Sequence, residues 1–237
     1  MTSPKRLARI AGFLYLLVGL FGGFAEGYVE PKMYVAGNAA ATAGNVIANA
    51  GLVRMGVVSD LLDGAFFIFT ALALYVLLKP VHKSVARAML VLVILATSIT
   101  CLAALFEFEG LRVATGAVDL GAFGAAGSNA VVLLLLDAQH YGLFVAQIFF
   151  GLWLAPLGYL AYRSGWFPKM LGVVLIAAAA CYIIDLIAAF LFPEVSKAIH
   201  GFLVILPAIA EPSMVLYLLI VGVKTIKPQT ERILAAA

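Results

Sequence analysis

Residues 52–78 read LVRMGVVSDLLDGAFFIFTALALYVLL, an apolar run of 27 residues that contains only three charged side chains. A helix rises about 1.5 Å per residue and a bilayer holds roughly 30 Å of hydrocarbon, so about 20 such residues cross it. The run is therefore long enough to form a transmembrane helix. Its three charges, Arg54, Asp60 and Asp63, are costly in lipid and mark candidate functional positions.

The composition extends this interpretation to the whole chain. Apolar residues make up 65% of the 237 residues, charged residues only 11%, and the mean hydropathy is +1.11. Soluble domains carry about 25% charged residues, which argues against a water-soluble globule. The two cysteines, Cys101 and Cys181, lie in apolar runs without a CxxC spacing, so neither a disulfide framework nor a thiol redox pair is supported.

Five further apolar runs predict an all-α, six-helix membrane bundle that forms a single domain over residues 1–237. The predicted spans are 10–28, 52–78, 86–108, 141–162, 170–192 and 201–223. The first run follows a basic start, as a secretory signal does, but its length favours a membrane helix. Residues 38–49 predict a helix along the membrane surface, and residues 118–136 either dip into the interface or extend the fourth helix outward.

Lysine and arginine residues determine the predicted orientation. With the N-terminus in the cytoplasm, 11 of the 15 fall on the cytoplasmic side, including those of a short tail at 224–237. This bias predicts a multi-pass protein of a bacterial plasma membrane with both termini cytoplasmic and the short amphipathic segments on the opposite side. Eleven of the 12 acidic residues fall in the outer half, a split that the positive-inside rule does not demand.

Four of these acids lie too deep to be loop residues. At about 1.5 Å per residue, Asp60, Asp63, Asp185 and Glu211 fall within the hydrocarbon, where carboxyls should face a wet cavity or one another. We therefore predict an outward-facing acidic pocket. Its predicted ligand-binding or proton-linked residues are Glu26, Arg54, Asp60, Asp63, Asp137, His140, Tyr182, Asp185 and Glu211.

Spacing within the helices supports several of these positions. Asp60 and Asp63 are three residues apart and share a helix face, so they should not both ionise readily and one is a candidate proton carrier. The alternative is that both aspartates bind Arg54 and other polar groups, and serve only to hold the helices together. Tyr182 lies one turn before Asp185 and can donate a hydrogen bond to it.

Glycines and prolines predict where the helices pack closely or break. Glycines four residues apart in the first span form two GxxxG steps, which favour close packing and turn Glu26 towards the interior; they are Gly19, Gly23 and Gly27. Gly56 and Gly64 allow close packing beside the aspartates of the second span. Pro207 and Pro212 flank Glu211 and predict a helix break at membrane depth.

No motif predicts a cofactor or a metal centre. His140, His200 and Asp137 are weak metal candidates, because the chain has neither an HxxxH nor an HExxH spacing. It also lacks a Gly-x-Ser-x-Gly elbow and a phosphate-binding loop. The predicted partners are the lipid bilayer and a small-molecule or lipid ligand, with no nucleic acid, and the oligomeric state stays open.

The leading functional hypothesis is binding or translocation of a small cationic or amphipathic ligand, with or without coupling to protons. One alternative is an intramembrane enzyme that acts on a lipid or isoprenoid through histidine and carboxylate groups, with or without a metal. Another is a structural or partner subunit. The sequence leans away from an enzyme and identifies no catalytic residue.

Several stretches together resemble one family. They include Arg9-Ile-Ala-Gly-Phe-Leu-Tyr15, Ala73-Leu-Tyr-Val-Leu-Leu-Lys-Pro80, Phe149-Phe-Gly-Leu-Trp153 and Gly158-Tyr-Leu-Ala-Tyr-Arg-Ser-Gly165. In this combination the chain resembles the bacterial six-helix membrane family catalogued as domain of unknown function 4386. The resemblance implies a small multi-pass inner-membrane protein and no particular activity.

Overall fold

The computed structural model describes residues 3–224, and these form helices joined by short connections. The α-helices are α1 (Pro4–Phe24), α2 (Glu30–Met33), α3 (Ala39–Ala48), α4 (Ala50–Leu78), α5 (Lys83–Ala114), α6 (Gly124–Ser164), α7 (Lys169–Leu191), α8 (Pro193–Leu203) and α9 (Ile205–Ile220). A π-helix, Ala25–Val29, joins α1 to α2, and a 3-10 turn, Gly121–Phe123, precedes α6.

Six helical stretches within residues 3–224 are long and apolar enough to cross a membrane. They are Pro4–Met33, Ala50–Leu78, Lys83–Ala114, Gly121–Ser164, Lys169–Leu191 and Pro193–Ile220. The prediction of an all-α membrane protein with six spans is confirmed. The orientation of the termini stays a prediction, and the predicted tail beyond Lys224 lies outside the described residues.

Two predicted spans differ from the observed helices at their starts. The fourth helix, α6, begins at Gly124 rather than at residue 141, so most of the segment 118–136 extends this helix outward. The sixth span consists of α8 and α9, with its break at Val204 rather than beside Glu211. Pro207 lies in the first turn of α9, where a missing backbone N–H breaks no intrahelical hydrogen bond.

The chain divides into two compact units. The first unit contains the described parts of Met1–Phe13, Thr70–Val91 and Gly151–Ala237. Within it, α6 and α7 approach closely, since a Cβ atom on Gly158 would lie 2.6 Å from the carbonyl oxygen of Gly172. The start of α1 meets α9 in the same way, because a Cβ on Gly12 would lie 2.7 Å from that of Leu218. Close backbone packing of this kind is how membrane helices associate without a hydrophobic driving force.

The second unit contains Leu14–Phe69 and Leu92–Phe150. Its core joins the π-helix, α2 and α3 to α5 and α6, through fully buried side chains that include Val29, Met33, Val46, Leu111 and Leu136. The close packing predicted at two glycines of α4 is present. A Cβ on Gly64 would lie 2.8 Å from Cγ2 of Thr97, and one on Gly56 would lie 2.9 Å from Cγ1 of Val29.

The GxxxG prediction for the first span is wrong. No described atom lies within 4 Å of a Cβ placed on any of its three glycines, Gly19, Gly23 and Gly27, so no other described helix packs closely there. The close approaches of α1 are at Gly12 and Gly22 instead. The spacing of small residues therefore did not identify where this helix packs closely.

Candidate functional site

A buried polar contact of the second unit joins two acids from neighbouring helices. Asp60 of α4 and Glu107 of α5 share a side-chain hydrogen bond. They are only 3% and 2% exposed, respectively. A hydrogen bond between two carboxyl groups needs one proton, because an ionised carboxylate has no donor. This pair can therefore hold a proton between two helices.

Glu107 also presents an oxygen to the interior that has no hydrogen-bond partner within residues 3–224. This atom, Oε1, is buried, and a Cβ on Gly56 would lie only 3.1 Å from it. The glycine thus leaves room beside the carboxyl. A buried polar atom without a partner is rare in native proteins and is a reason to suspect a missing ligand, ion or water.

A distorted stretch of the first span brings a third acid to this pair. Glu26 lies in the π-helix Ala25–Val29 and interacts electrostatically with Asp60 and Glu107 as well as with Glu30 and Asp63. Short π-helical turns occur frequently at functional sites. We call these five acids, Glu26, Glu30, Asp60, Asp63 and Glu107, the carboxyl cluster.

Asp63 occupies a site that a glycine makes possible. It lies one turn after Asp60 on α4 and is buried. A Cβ on Gly22 of α1 would lie 3.2 Å from its Oδ1 atom, so a larger residue at position 22 would crowd the carboxyl. The predicted shared face of Asp60 and Asp63 is therefore turned into the second unit.

A layer of aromatic and polar groups adjoins the carboxyl cluster at Glu30. Nδ1 of His140 lies 2.5 Å from Oε1 of Glu30, and the hydroxyl of Tyr34 donates a hydrogen bond of 2.5 Å to Asp137. The rings of Tyr34 and His140 stack with their centroids 4.9 Å apart. These contacts tie the end of the first span to α6.

Tyr34 lies just outside the spanning helices, and its surroundings favour the protonated phenol. Burial raises the pKa of Tyr34 above its ordinary value, and the hydrogen bond to Asp137 and the charge of Asp137 add to this effect. The hydroxyl therefore acts as a hydrogen-bond donor to Asp137 throughout the physiological pH range.

The remaining deep acids belong to the first unit, where each has a donor partner. Nδ1 of His200 in α8 lies 3.0 Å from both oxygens of Asp185 in α7. The hydroxyl of Tyr182 donates a hydrogen bond of 2.9 Å to Glu211 in α9. The prediction that Tyr182 donates to Asp185 is therefore wrong. The α9 helix packs against α7 and brings Glu211 to this hydroxyl.

The nine predicted site residues are thus divided between the two units. Six lie in the second unit: Glu26, Arg54, Asp60, Asp63, Asp137 and His140. Three lie in the first: Tyr182, Asp185 and Glu211. That all nine line one pocket stays a prediction.

Arg54 does not pair with the acids, although such a pairing was one of the two alternatives predicted for Asp60 and Asp63. Its side chain is exposed and forms no ion pair within residues 3–224. It lines an apolar groove between α1 and α4 instead. Asp60 follows Arg54 by six positions, which places the two side chains about 120° apart around α4 and explains why they do not meet.

Sequence reasoning missed Glu107, Glu30 and Tyr34. The predicted third span ended at residue 108, so Glu107 looked like a terminal residue, whereas α5 continues for almost two more turns to Ala114. The spacing of Thr97, Thr100 and Glu107 at helical intervals could have identified their shared buried face.

Each of the three metal candidates contacts a residue that is not itself a metal candidate. His140 contacts Glu30, His200 contacts Asp185, and Asp137 accepts from Tyr34. Among the described residues, no group of three or more histidine, cysteine or acidic side chains is arranged to hold a metal ion.

Comparison with known proteins identifies the family. The model of the family described as a domain of unknown function, DUF4386, matches residues 10–222. The chain belongs to the DUF4386 family. This match includes residues of all six membrane-length helical stretches, from α1 to α9.

One relative also matches this DUF4386 chain. A protein of Archaeoglobus fulgidus, described as uncharacterized, is 33% identical over 115 residues, which cover 48% of this chain and 55% of the relative. The alignment thus spans about half the length of each protein. No solved structure matches the chain.

Proposed function

We propose that this DUF4386 protein binds a small organic cation at the carboxyl cluster in exchange for a proton and carries it across the membrane. The observation that supports this most is the pair Asp60 and Glu107, which share a side-chain hydrogen bond while Oε1 of Glu107 has no hydrogen-bond partner among residues 3–224. A cation entering beside that oxygen supplies the missing electrostatic partner.

The charge balance of the second unit favours a cation over an anion. Its three lysine and arginine residues are Lys32, Arg54 and Arg112. Lys32 lies over the ring of Tyr28, Arg112 pairs with Glu109, and Arg54 is exposed in the groove. None of them forms an ion pair with Glu26, Asp60 or Glu107 within the described residues. The cluster therefore has a surplus of carboxyl groups.

Exchange of one proton for one monovalent cation keeps the charge of this buried region constant. When the shared proton leaves, Asp60 and Glu107 become two carboxylates in contact, which repel each other strongly in a medium of low polarity. A bound cation offsets that repulsion, and its release restores the proton. Proton and cation thus compete for the same pair, which is the requirement for coupled exchange.

The experiment uses the purified full chain in liposomes, with ethidium as the cationic probe and a pH-sensitive dye inside. An imposed pH gradient should drive ethidium flux together with counter-movement of protons. Glu107→Gln should lower that flux at least about tenfold, because it removes the exchangeable proton and one charge contact.

A matched control lies two residues away on the same helix. Glu109→Gln removes the carboxyl that pairs with Arg112 and leaves Glu107 in place, so its flux should equal that of the wild type. Equal loss in both variants, or a flux that ignores the pH gradient, would overturn the proposal. Circular dichroism of each variant ensures that only folded protein is compared.

A further inference from the structure

A groove on the surface of the second unit combines an apolar lining with one cationic end. It lies between α1 and α4 and has a volume of about 620 Å³. This is within the range of pockets that bind small organic ligands, about 300–1,000 Å³. Its lining includes Leu20 and Phe24 of α1 and Met55, Val58 and Leu62 of α4.

The groove lies on the face of α4 away from the aspartates. Arg54, Met55 and Val58 are exposed, whereas Asp60 and Asp63 are buried on the other side of the same helix. Because α1 and α4 both have the length and hydropathy of membrane spans, the exposed face meets lipid chains rather than water. The groove is therefore separate from the carboxyl cluster.

Arg54 gives the groove a polar end. Val58 and Leu62 follow it at intervals of four residues, so the three side chains form one stripe about 12 Å long on α4. The guanidinium has no ion-pair partner among residues 3–224, although a charge at membrane depth is costly without one. A planar guanidinium binds a phosphate with two parallel hydrogen bonds, which a lysine does not.

We propose that this groove binds an anionic phospholipid. The phosphate accepts hydrogen bonds from Arg54, and one acyl chain lies along Val58 and Leu62 against Leu20 and Phe24. Charge complementarity selects the anionic class. The headgroup of a zwitterionic phospholipid carries its own cation beside the phosphate and gains less from Arg54. The apolar body of the groove then orders a chain that would otherwise move freely.

The test compares two lipids of identical acyl chains, phosphatidylglycerol and phosphatidylcholine. The full chain is purified from nanodiscs that contain both in equal amounts, and native mass spectrometry counts the lipids that stay bound. The wild type should retain phosphatidylglycerol preferentially, and Arg54→Gln should lower that preference about fivefold. Arg112→Gln removes another cation of the same unit, one that pairs with Glu109, and should leave the preference unchanged.

A second pair of variants tests the groove without changing any charge. Val58→Trp fills the groove, whereas Val76→Trp adds the same bulk elsewhere on α4; the two valines are 54% and 46% exposed. Only Val58→Trp should lose bound phosphatidylglycerol. Equal retention of the two lipids by the wild type would overturn the proposal. Equal losses in Arg54→Gln and Arg112→Gln, or full retention in Val58→Trp, would do the same.

Discussion

The two units place carboxyl groups in low-polarity surroundings in different ways. In the first unit each deep acid faces a donor of another kind, since Asp185 meets the imidazole of His200 and Glu211 meets the hydroxyl of Tyr182. In the second unit Asp60 and Glu107 have each other as hydrogen-bond partners. An acid that accepts a hydrogen bond from a donor on another helix stabilises the bundle, whereas acids in contact with one another repel when they ionise. This difference makes the second unit the candidate functional region of the protein.

The largest expected effect is in the first unit, at the contact between α7 and α8. His200→Ala removes the imidazole from Asp185, which is 2% exposed, and should lower the free energy of unfolding by about 1.5 kcal/mol or more. Unfolding in mixed detergent micelles provides the measurement. Lys197→Ala, also in α8, removes a cation whose pair with Glu194 is highly exposed, so its effect should stay below about 0.5 kcal/mol. Similar losses in both variants would contradict the comparison.

A smaller loss is expected at the other matched acid. Tyr182→Phe removes only the hydroxyl that donates to Glu211 and should cost about 1 kcal/mol of unfolding free energy. Tyr159→Phe is the control, because its hydroxyl forms no hydrogen bond within residues 3–224. An unchanged unfolding free energy in Tyr182→Phe would mean that this hydrogen bond contributes nothing to the first unit.

In the carboxyl cluster, removal of an acid should raise the stability of the protein instead of lowering it. Glu107→Gln replaces a carboxyl by a neutral amide that still donates to Asp60, and we expect stability to rise by about 0.5 kcal/mol at neutral pH. Glu109→Gln, which removes a carboxyl paired with Arg112, should not raise it. Thermal unfolding in detergent measures both. A clear loss of stability in Glu107→Gln would show that the clustered acids act as a structural pair, as those of the first unit do.

The smallest effect concerns alkaline pH. The raised pKa of Tyr34 means that the folded protein keeps a proton that the unfolded chain loses above about pH 10, so stability should fall as the pH rises beyond that point. Tyr34→Phe should make that decline shallower. Tyr28→Phe, at an exposed residue of the same span, should leave the decline as it is. Unfolding temperatures measured from pH 9 to pH 11.5 compare the slopes, and parallel slopes in Tyr34→Phe and the wild type would contradict this prediction.

Hydropathy and length were sufficient to predict the helical class and the six spans, because the thickness of the hydrocarbon fixes the length of each crossing. They failed at the ends of two helices. The α6 helix begins at Gly124, well before the predicted start of its span, and α5 continues to Ala114, beyond the predicted end. Hydropathy marks where lipid begins, whereas the helix ends where its backbone hydrogen bonds end.

Much of the candidate site could be predicted for the same reason: charges are rare in the spans and costly there. The hydrogen-bond partners of these side chains could not be predicted, because they depend on which helix packs against which. Tyr182 meets Glu211 rather than Asp185, although the latter is one turn away on the same helix. Arg54 was expected among acids, and its position about 120° around α4 from Asp60 places it in the groove.

The π-helix Ala25–Val29 has one further consequence, which concerns the phase of the first span. A π-turn is an α-helix that contains one extra residue per turn, so the helical faces before and after it are shifted by about one position. Val29 and Met33 stay fully packed in the core while Glu26 approaches Asp60. If residues 25–29 kept all five residues but wound as a regular α-helix, the preceding helix would be rotated by about 100° relative to Val29. The first span therefore carries an internal adjustment of phase, and the chain accommodates an added carboxyl without sacrificing the apolar contacts on either side of it.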